Sequence, residues 1–154
     1  MRKVFAGLAA FLLLVLVVQF FLAASGAFSN EANEEAFRPH RILGLGSILV
    51  AVVLTVAAAV MRMPGRIIGL SGLVAGLGIL QALIAVIAKA FGDSAGDSAV
   101  GRYVFGLHAV NGLVMVAVAR VILRSVRPGP DTTTTPGVDT TVTGPAADSA
   151  RTAS

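Results

Sequence analysis

The chain contains no cysteine and no tryptophan, one tyrosine and two histidines. Without cysteine there is no disulfide framework, no thiolate metal site, no iron–sulfur cluster and no CxxCH attachment of a covalent haem. Any cofactor must therefore be held by other donors. Charge is scarce as well, at 13% of 154 residues, against 56% hydrophobic residues and a mean hydropathy of +0.87. An ordinary soluble domain is about one-quarter charged, so this composition belongs to an integral membrane protein. The formal charge of +4 does not indicate a nucleic-acid partner, because the basic residues flank apolar runs and form no solvent-facing patch.

Four apolar stretches are long enough to cross a hydrocarbon core, which takes about 20 helical residues: Val4 to Ala24, His40 to Met61, Ile67 to Ala90 and Tyr103 to Leu123. The expected fold is all-α, a four-helix antiparallel transmembrane bundle over residues 1–127 whose immediate partner is the lipid bilayer. Arg2 and Lys3 ahead of the first run, and the small residues Ser25-Gly26-Ala27 after it, resemble a signal peptide. Its apolar core exceeds the usual 7 to 15 residues, which favours an uncleaved anchor. Residues 128–154 are rich in Thr, Pro, Gly, Ala, Ser and Asp, the composition of a disordered tail.

Charge sets the expected orientation. Arg2, Lys3, Arg62, Arg66, Arg120, Arg124 and Arg127 fall at one end of the spans. Arg38, Arg41, Lys89 and Arg102 at the other end are mixed with Glu31, Glu34, Glu35, Asp93 and Asp97. The positive-inside rule then predicts that both termini are cytoplasmic. Arg62-Met63-Pro64-Gly65-Arg66 reads as a tight turn between the second and third spans. Residues 29–37 read as a short surface helix with capping residues before it, and Pro39 suits the first turn of the next span. The repeated Gly-Asp-Ser-Ala of residues 92–99 lacks the ligand spacing of an EF-hand and reads as a linker. Gly65xxxGly69 and Gly72xxxGly76 offer close-contact faces, expected to serve packing inside the bundle.

The polar residues inside the spans carry the functional signal, since ionisable groups are costly in lipid and usually face inward. Counted from the helix ends, Gln19, His40, Gln81, His108 and Asn111 fall in one half of the membrane and come from four helices. Phe20, Phe21, Phe28, Phe37, Phe91, Tyr103 and Phe105 crowd the same end. An interfacial belt would favour Trp and Tyr at both interfaces, so the asymmetry leans towards a pocket. His40, Gly44, Ser47 and Ala51 lie on one helical stripe, and His108, Asn111, Gly112, Met115 and Ala119 on another. Small residues one turn from each histidine leave room for a broad, flat group.

A neutral histidine from each of two helices is a ligand pair suited to low-spin haem b in a bundle, a centre that transfers electrons, with a membrane redox partner or a quinone as its counterpart. In that reading His40 and His108 are the metal ligands. Arg41 and Arg102 are candidates for the propionates, and Gln19, Gln81 and Asn111 line the site. The competing reading has no cofactor: the histidines serve helix packing, with Asn111 or Gln81 satisfying His108, and the arginines pair with the glutamates or reach to water. Quinone or proton chemistry is a third possibility.

Phe37-Arg38-Pro39-His40-Arg41-Ile42-Leu43-Gly44, Leu80-Gln81 and Leu107-His108-Ala109-Val110-Asn111-Gly112 resemble an uncharacterised family of small bacterial four-span membrane proteins. More distantly, the pattern is similar to one four-helix half of the heme A synthase fold. The resemblance implies haem ligation by a His-Arg pair opening the second helix, His40-Arg41, and by a histidine of the fourth, His108. It departs from that enzyme family at Phe37, where the family has a carboxylate, and in lacking both its outer-loop cysteine pair and a second bundle. Synthase activity is not expected, and an enzymatic role of any kind is less favoured than haem binding alone.

Overall fold

The computed structural model describes residues 2–90 and 99–127. Five helices follow in order: α1 (Arg2–Ala27), the single turn α2 (Asn33–Ala36), α3 (Arg38–Val60), α4 (Gly65–Ala90) and α5 (Ala99–Val126). The four long ones are long and apolar enough to cross a membrane. The chain is a multi-pass, all-α protein. Each helix overruns the expected apolar span by a few residues at one or both ends, because the backbone stays helical past the last apolar side chain. The linker at residues 92–99 lies outside the described residues but for its last alanine. So does the tail from residue 128, together with the disorder expected of it.

The long helices adjoin in a ring, α1 to α3, α3 to α4, α4 to α5 and α5 back to α1. Two diagonals remain, α1 with α4 and α3 with α5, and neither pair adjoins among the described residues. Packing is unequal along the bundle. The buried cluster of Phe5, Ala9, Leu12, Leu54, Ala58, Val74, Ala119 and Ile122 fills the end where the basic residues gather. Lipid tails are as apolar as leucine, so these residues stabilise the bundle through close contact with each other more than by leaving water. Toward the histidine end glycine, alanine and polar side chains take their place. That end is hollow.

The turn between α3 and α4 follows from backbone hydrogen bonding. The Met63 N–H donates to the Ala58 carbonyl (2.9 Å) and the Arg62 N–H to that of Ala59 (3.0 Å), which together make a Schellman cap. Such a cap puts one residue in the left-handed region, and here it is Arg62, at φ 51°. Pro64 then starts α4, its carbonyl accepting from the Ile67 N–H at 2.7 Å. The glycine pairs of α4 depart from expectation. A Cβ on Gly65, Gly69 or Gly76 would meet nothing within 4 Å, and only Gly72 approaches a neighbour, Thr55. The α4 glycine that packs most closely on α3 is Gly78, outside both motifs, where a Cβ would lie 3.1 Å from Ile48 Cγ1.

The surface helix expected over residues 29–37 shrinks to α2. Ser29 caps no helix: its Oγ accepts from the Glu31 N–H at 3.1 Å and closes a local turn. Phe37 ends α2 and precedes α3 directly, with Pro39 in the first turn of α3 as expected. The segment lies tight on α1. A Cβ on Gly26 would stand 2.9 Å from the Ala36 carbonyl oxygen and 3.0 Å from the Phe37 ring, so only glycine admits this approach.

Candidate functional site

The hollow end forms a half-open cavity of about 570 Å³, within the range of small-molecule and cofactor sites. All four long helices line it. Gln19 and Phe20 come from α1, His40, Gly44 and Ser47 from α3, Gly78 and Gln81 from α4, and His108 and Gly112 from α5. The helical stripes read from the sequence explain this placement. In α3, Ser47 and Ala51 are buried and point the stripe inward. In α5, Asn111, Met115 and Ala119 do the same. Each histidine lies on the inward stripe, one turn nearer the helix end than a cavity-lining glycine.

The two imidazoles approach from α3 and α5, the helices on opposite corners of the bundle. Their ring centres are 6.0 Å apart and their planes are inclined at 57°. Phe37 packs edge-on against His40 at 6.4 Å, and Phe105 lies beside His108 at 5.6 Å. The tautomer of His40 follows from its partner. Its Nδ1 lies 3.1 Å from the backbone carbonyl oxygen of Gln19. A carbonyl only accepts, so Nδ1 carries the proton and Nε2 keeps its lone pair. His108 differs: its Nδ1 is buried with no hydrogen-bond partner among the described residues, and the same holds for Gln19 Oε1. A buried polar atom without a partner is rare and costly, and two of them border one cavity.

The amides of Gln81 and Asn111 are engaged with protein. Gln81 Nε2 donates to the His108 carbonyl at 2.8 Å. Asn111 Nδ2 donates to the Leu77 carbonyl at 2.9 Å and also to Gln81 Oε1. The three contacts latch α4 to α5 beneath His108. Of the two arginines considered for propionates, Arg41 lines the cavity and Arg102 does not. Arg41 is already held: its Nη2 donates to the Glu34 carbonyl at 2.6 Å, and its Nη1 lies 3.8 Å from the Glu34 carboxylate. Lys89 reaches the same carboxylate at 3.1 Å. The Lys89 hydrogen bond, then the charges of Lys89 and Arg41, hold the Glu34 carboxyl below its ordinary pKa. This exposed cluster ties α2 to α3 and α4 at the rim. Nothing local in the sequence shows that Lys89, at the far end of α4, meets residue 34.

Among the described residues, no group of three or more His, Cys, Asp or Glu is placed to hold a metal ion. Two imidazoles alone do not make a site for a bare cation such as zinc, which takes four ligands in structural sites and three plus water in catalytic ones. They suit a metal that arrives with other donors of its own.

The fold and the cavity define a small multi-pass membrane protein with a partly open, glycine-lined cavity at one end of its bundle. Residues 19–89 match the model of a family described as a family of unknown function, DUF6220. The matched stretch includes Gln19, His40 and Gln81 and stops short of His108. No curated protein and no solved structure matches the chain.

Proposed function

We propose that the protein binds haem b between His40 and His108 and serves as a one-electron carrier in the membrane. The observation that carries this reading is the spacing of the two imidazoles. With a metal–nitrogen bond of about 2 Å and about 1 Å from nitrogen to ring centre, two trans imidazoles stand roughly 6 Å apart. The observed separation is 6.0 Å.

Three further features support the fit. Glycines on three helices, Gly44, Gly78 and Gly112, line the cavity, and an added Cβ at each would fall within 3.2 Å of a neighbouring side chain. The proton on His40 Nδ1 leaves Nε2 as the ligating atom, in the pattern by which a hydrogen bond to one ring nitrogen orients the other toward a metal. The ring of His108 has a nitrogen without a partner, which a purely structural histidine would be expected to satisfy.

A haem held by His40 and His108 would supply one-electron chemistry at its iron, with the two imidazoles as the protein's ligands. The chain's residues hold it and exclude water. Gln19 fixes the tautomer of His40, Phe37 and Phe105 cover the two imidazoles, and the α4–α5 latch fixes the backbone at His108. Arg41 reaches a propionate only by exchanging its contacts with Glu34. In this reading the basic end faces the cytoplasm and the haem sits near the opposite surface, where a membrane redox partner or a quinone would meet it.

A second reading draws on the His40–Gln19 hydrogen bond, which ties α3 to α1 and is what a packing histidine would do. Absorbance separates the two. The full chain, expressed with sufficient haem, should show a sharp low-spin Soret band. His40→Ala or His108→Ala should abolish it or give a high-spin form that binds carbon monoxide when reduced. Folded, colourless protein that takes up no added haem would leave the packing reading standing.

A further inference from the structure

A second, smaller cavity of about 230 Å³ lies at the opposite end of the bundle, between the first turn of α1 and the last turn of α5. Ala6 and Val126 form its apolar part, and Arg2, Lys3 and Arg127 surround it. Val126 is buried, as is Phe5 beside Ala6, so the floor is held by the core. The three basic residues are exposed. None of them takes part in an ion pair among the described residues, whose three carboxylates, Glu31, Glu34 and Glu35, all lie at the other end. The start of α1 and the end of α5 carry opposite dipole charges that largely offset each other here. Side-chain charge therefore decides what the crevice attracts.

We propose that this crevice seats the phosphate of an anionic phospholipid from the adjoining leaflet. Its location favours lipid over a solute: it opens between the ends of two helices long and apolar enough to cross the membrane, and spans of that length end near the headgroup layer. Val4, in the same turn of α1 as Lys3, is an apolar side chain left 69% exposed. A phosphate among the three cations, with its first apolar carbons against Ala6 and Val126, matches a crevice that is basic at the rim and apolar at the floor. Basic crevices between transmembrane helices are recurrent sites for anionic headgroups. The inference is independent of what fills the larger cavity.

The test uses the full chain reconstituted in phosphatidylcholine vesicles carrying a trace of spin-labelled phosphatidylglycerol or spin-labelled phosphatidylcholine. The motionally restricted fraction should be larger for phosphatidylglycerol, and the preference should fall roughly fivefold for each cation removed by Arg2→Gln, Lys3→Gln and Arg127→Gln. The combined Arg62→Gln, Arg66→Gln, Arg120→Gln variant removes equal charge and should retain the preference, as should the charge-conserving Arg2→Lys, Lys3→Arg, Arg127→Lys. If loss of Arg2 and Lys3 disturbs insertion, Arg127→Gln alone carries the test. Equal association of the two lipids, or equal loss in both charge-removing variants, would overturn the site in favour of a diffuse field. Displacement of labelled lipid by inorganic phosphate at constant ionic strength would assign the crevice to the free anion.

Discussion

His40 and His108 face each other at 6.0 Å between ring centres, although α3 and α5, which carry them, do not adjoin. The pair meets only because both side chains reach across a hollow that the small residues of four helices leave open. A ligand bridging them would join a diagonal of the bundle that no backbone contact joins. Haem added to the folded protein should therefore raise its unfolding temperature. At a hundredfold excess over its dissociation constant, a ligand specific for the folded state contributes about 2.7 kcal/mol. His40→Ala and His108→Ala should each lose that increment, as read by thermal unfolding in detergent with and without haem. An equal rise in wild type and variants would mean that haem binds elsewhere.

The turn at Arg62 gives a prediction independent of any cofactor. Arg62 occupies the left-handed position of the Schellman cap at φ 51°, which costs an L-residue about 1–2 kcal/mol and glycine nearly nothing. Arg62→Gly should stabilise the α3–α4 hairpin by about 1 kcal/mol. Arg62→Val should destabilise it, since a β-branched side chain tolerates positive φ least. Denaturation of the purified variants in detergent measures both.

The α4–α5 latch should behave as a structural element. Asn111 joins Gln81 and the Leu77 carbonyl, and Gln81 in turn holds the His108 carbonyl. Intramembrane hydrogen bonds are worth about 0.6–1.7 kcal/mol each, so Asn111→Leu should cost about 1–2 kcal/mol. Asn111→Leu and Gln81→Leu share partners, and the double variant should cost less than the sum of the two. Full additivity in a double-mutant cycle would show that the latch does not act as a unit.

Much of this architecture was legible because its signals are local and periodic. Four apolar runs separated by charged or glycine- and proline-containing links define the helices. The spacings from His40 to Ala51 and from His108 to Ala119 define their inward faces. Longer-range relationships were not legible. Counting from the helix end put Gln81 at the level of the histidines, yet did not show that Asn111 would take up its side-chain oxygen. Arg41 and Arg102 looked equivalent as basic residues near one membrane edge, and only the packing of α2 against α3 separates them. The lipid-facing glycines of α4 carry the same motif that packed glycines carry, so sequence alone does not assign them a face. The pairing of Lys89 with Glu34 spans 55 residues and depends on how the helix ends are arranged.

That pairing has a pH dependence of defined sign. The Glu34 carboxyl is held below its ordinary value of 4.5 by Lys89 first and Arg41 second. A lowered carboxyl pKa stabilises the folded contact above the ordinary value, and the effect is lost as pH falls through the lowered one. The α2 segment should therefore stay docked at neutral pH and loosen only below about pH 4.5. High salt should weaken it at any pH, because the group is exposed. A spin label at Asn30 should report higher mobility in acid or in 1 M salt, and Glu34→Gln should show that mobility at pH 7. Mobility unchanged in Glu34→Gln would show that contacts other than the Glu34 carboxylate, such as the Arg41 bond to the Glu34 carbonyl and Phe37 against Gly26, hold the α2 segment.

The glycine at position 112 separates a chamber built to hold something from incidental loose packing. A Cβ on Gly112 would lie 3.2 Å from the tip of the Phe20 ring and 3.6 Å from Gln81 Nε2. Phe20 is partly exposed and its ring can swing outward, so Gly112→Leu should still fold, at a cost of about 1–3 kcal/mol for overpacking. Its side chain would then occupy the space beside His108 while leaving both histidines in place. Haem uptake should fall sharply, with helix content by circular dichroism unchanged. Gly106→Leu is the matched control on the same helix, since a Cβ there meets nothing within 4 Å, and it should bind haem as the wild type does. If Gly112→Leu takes up haem with an unaltered Soret band, any haem seen in the wild type does not occupy this chamber, and the pairing of His40 with His108 would need another explanation.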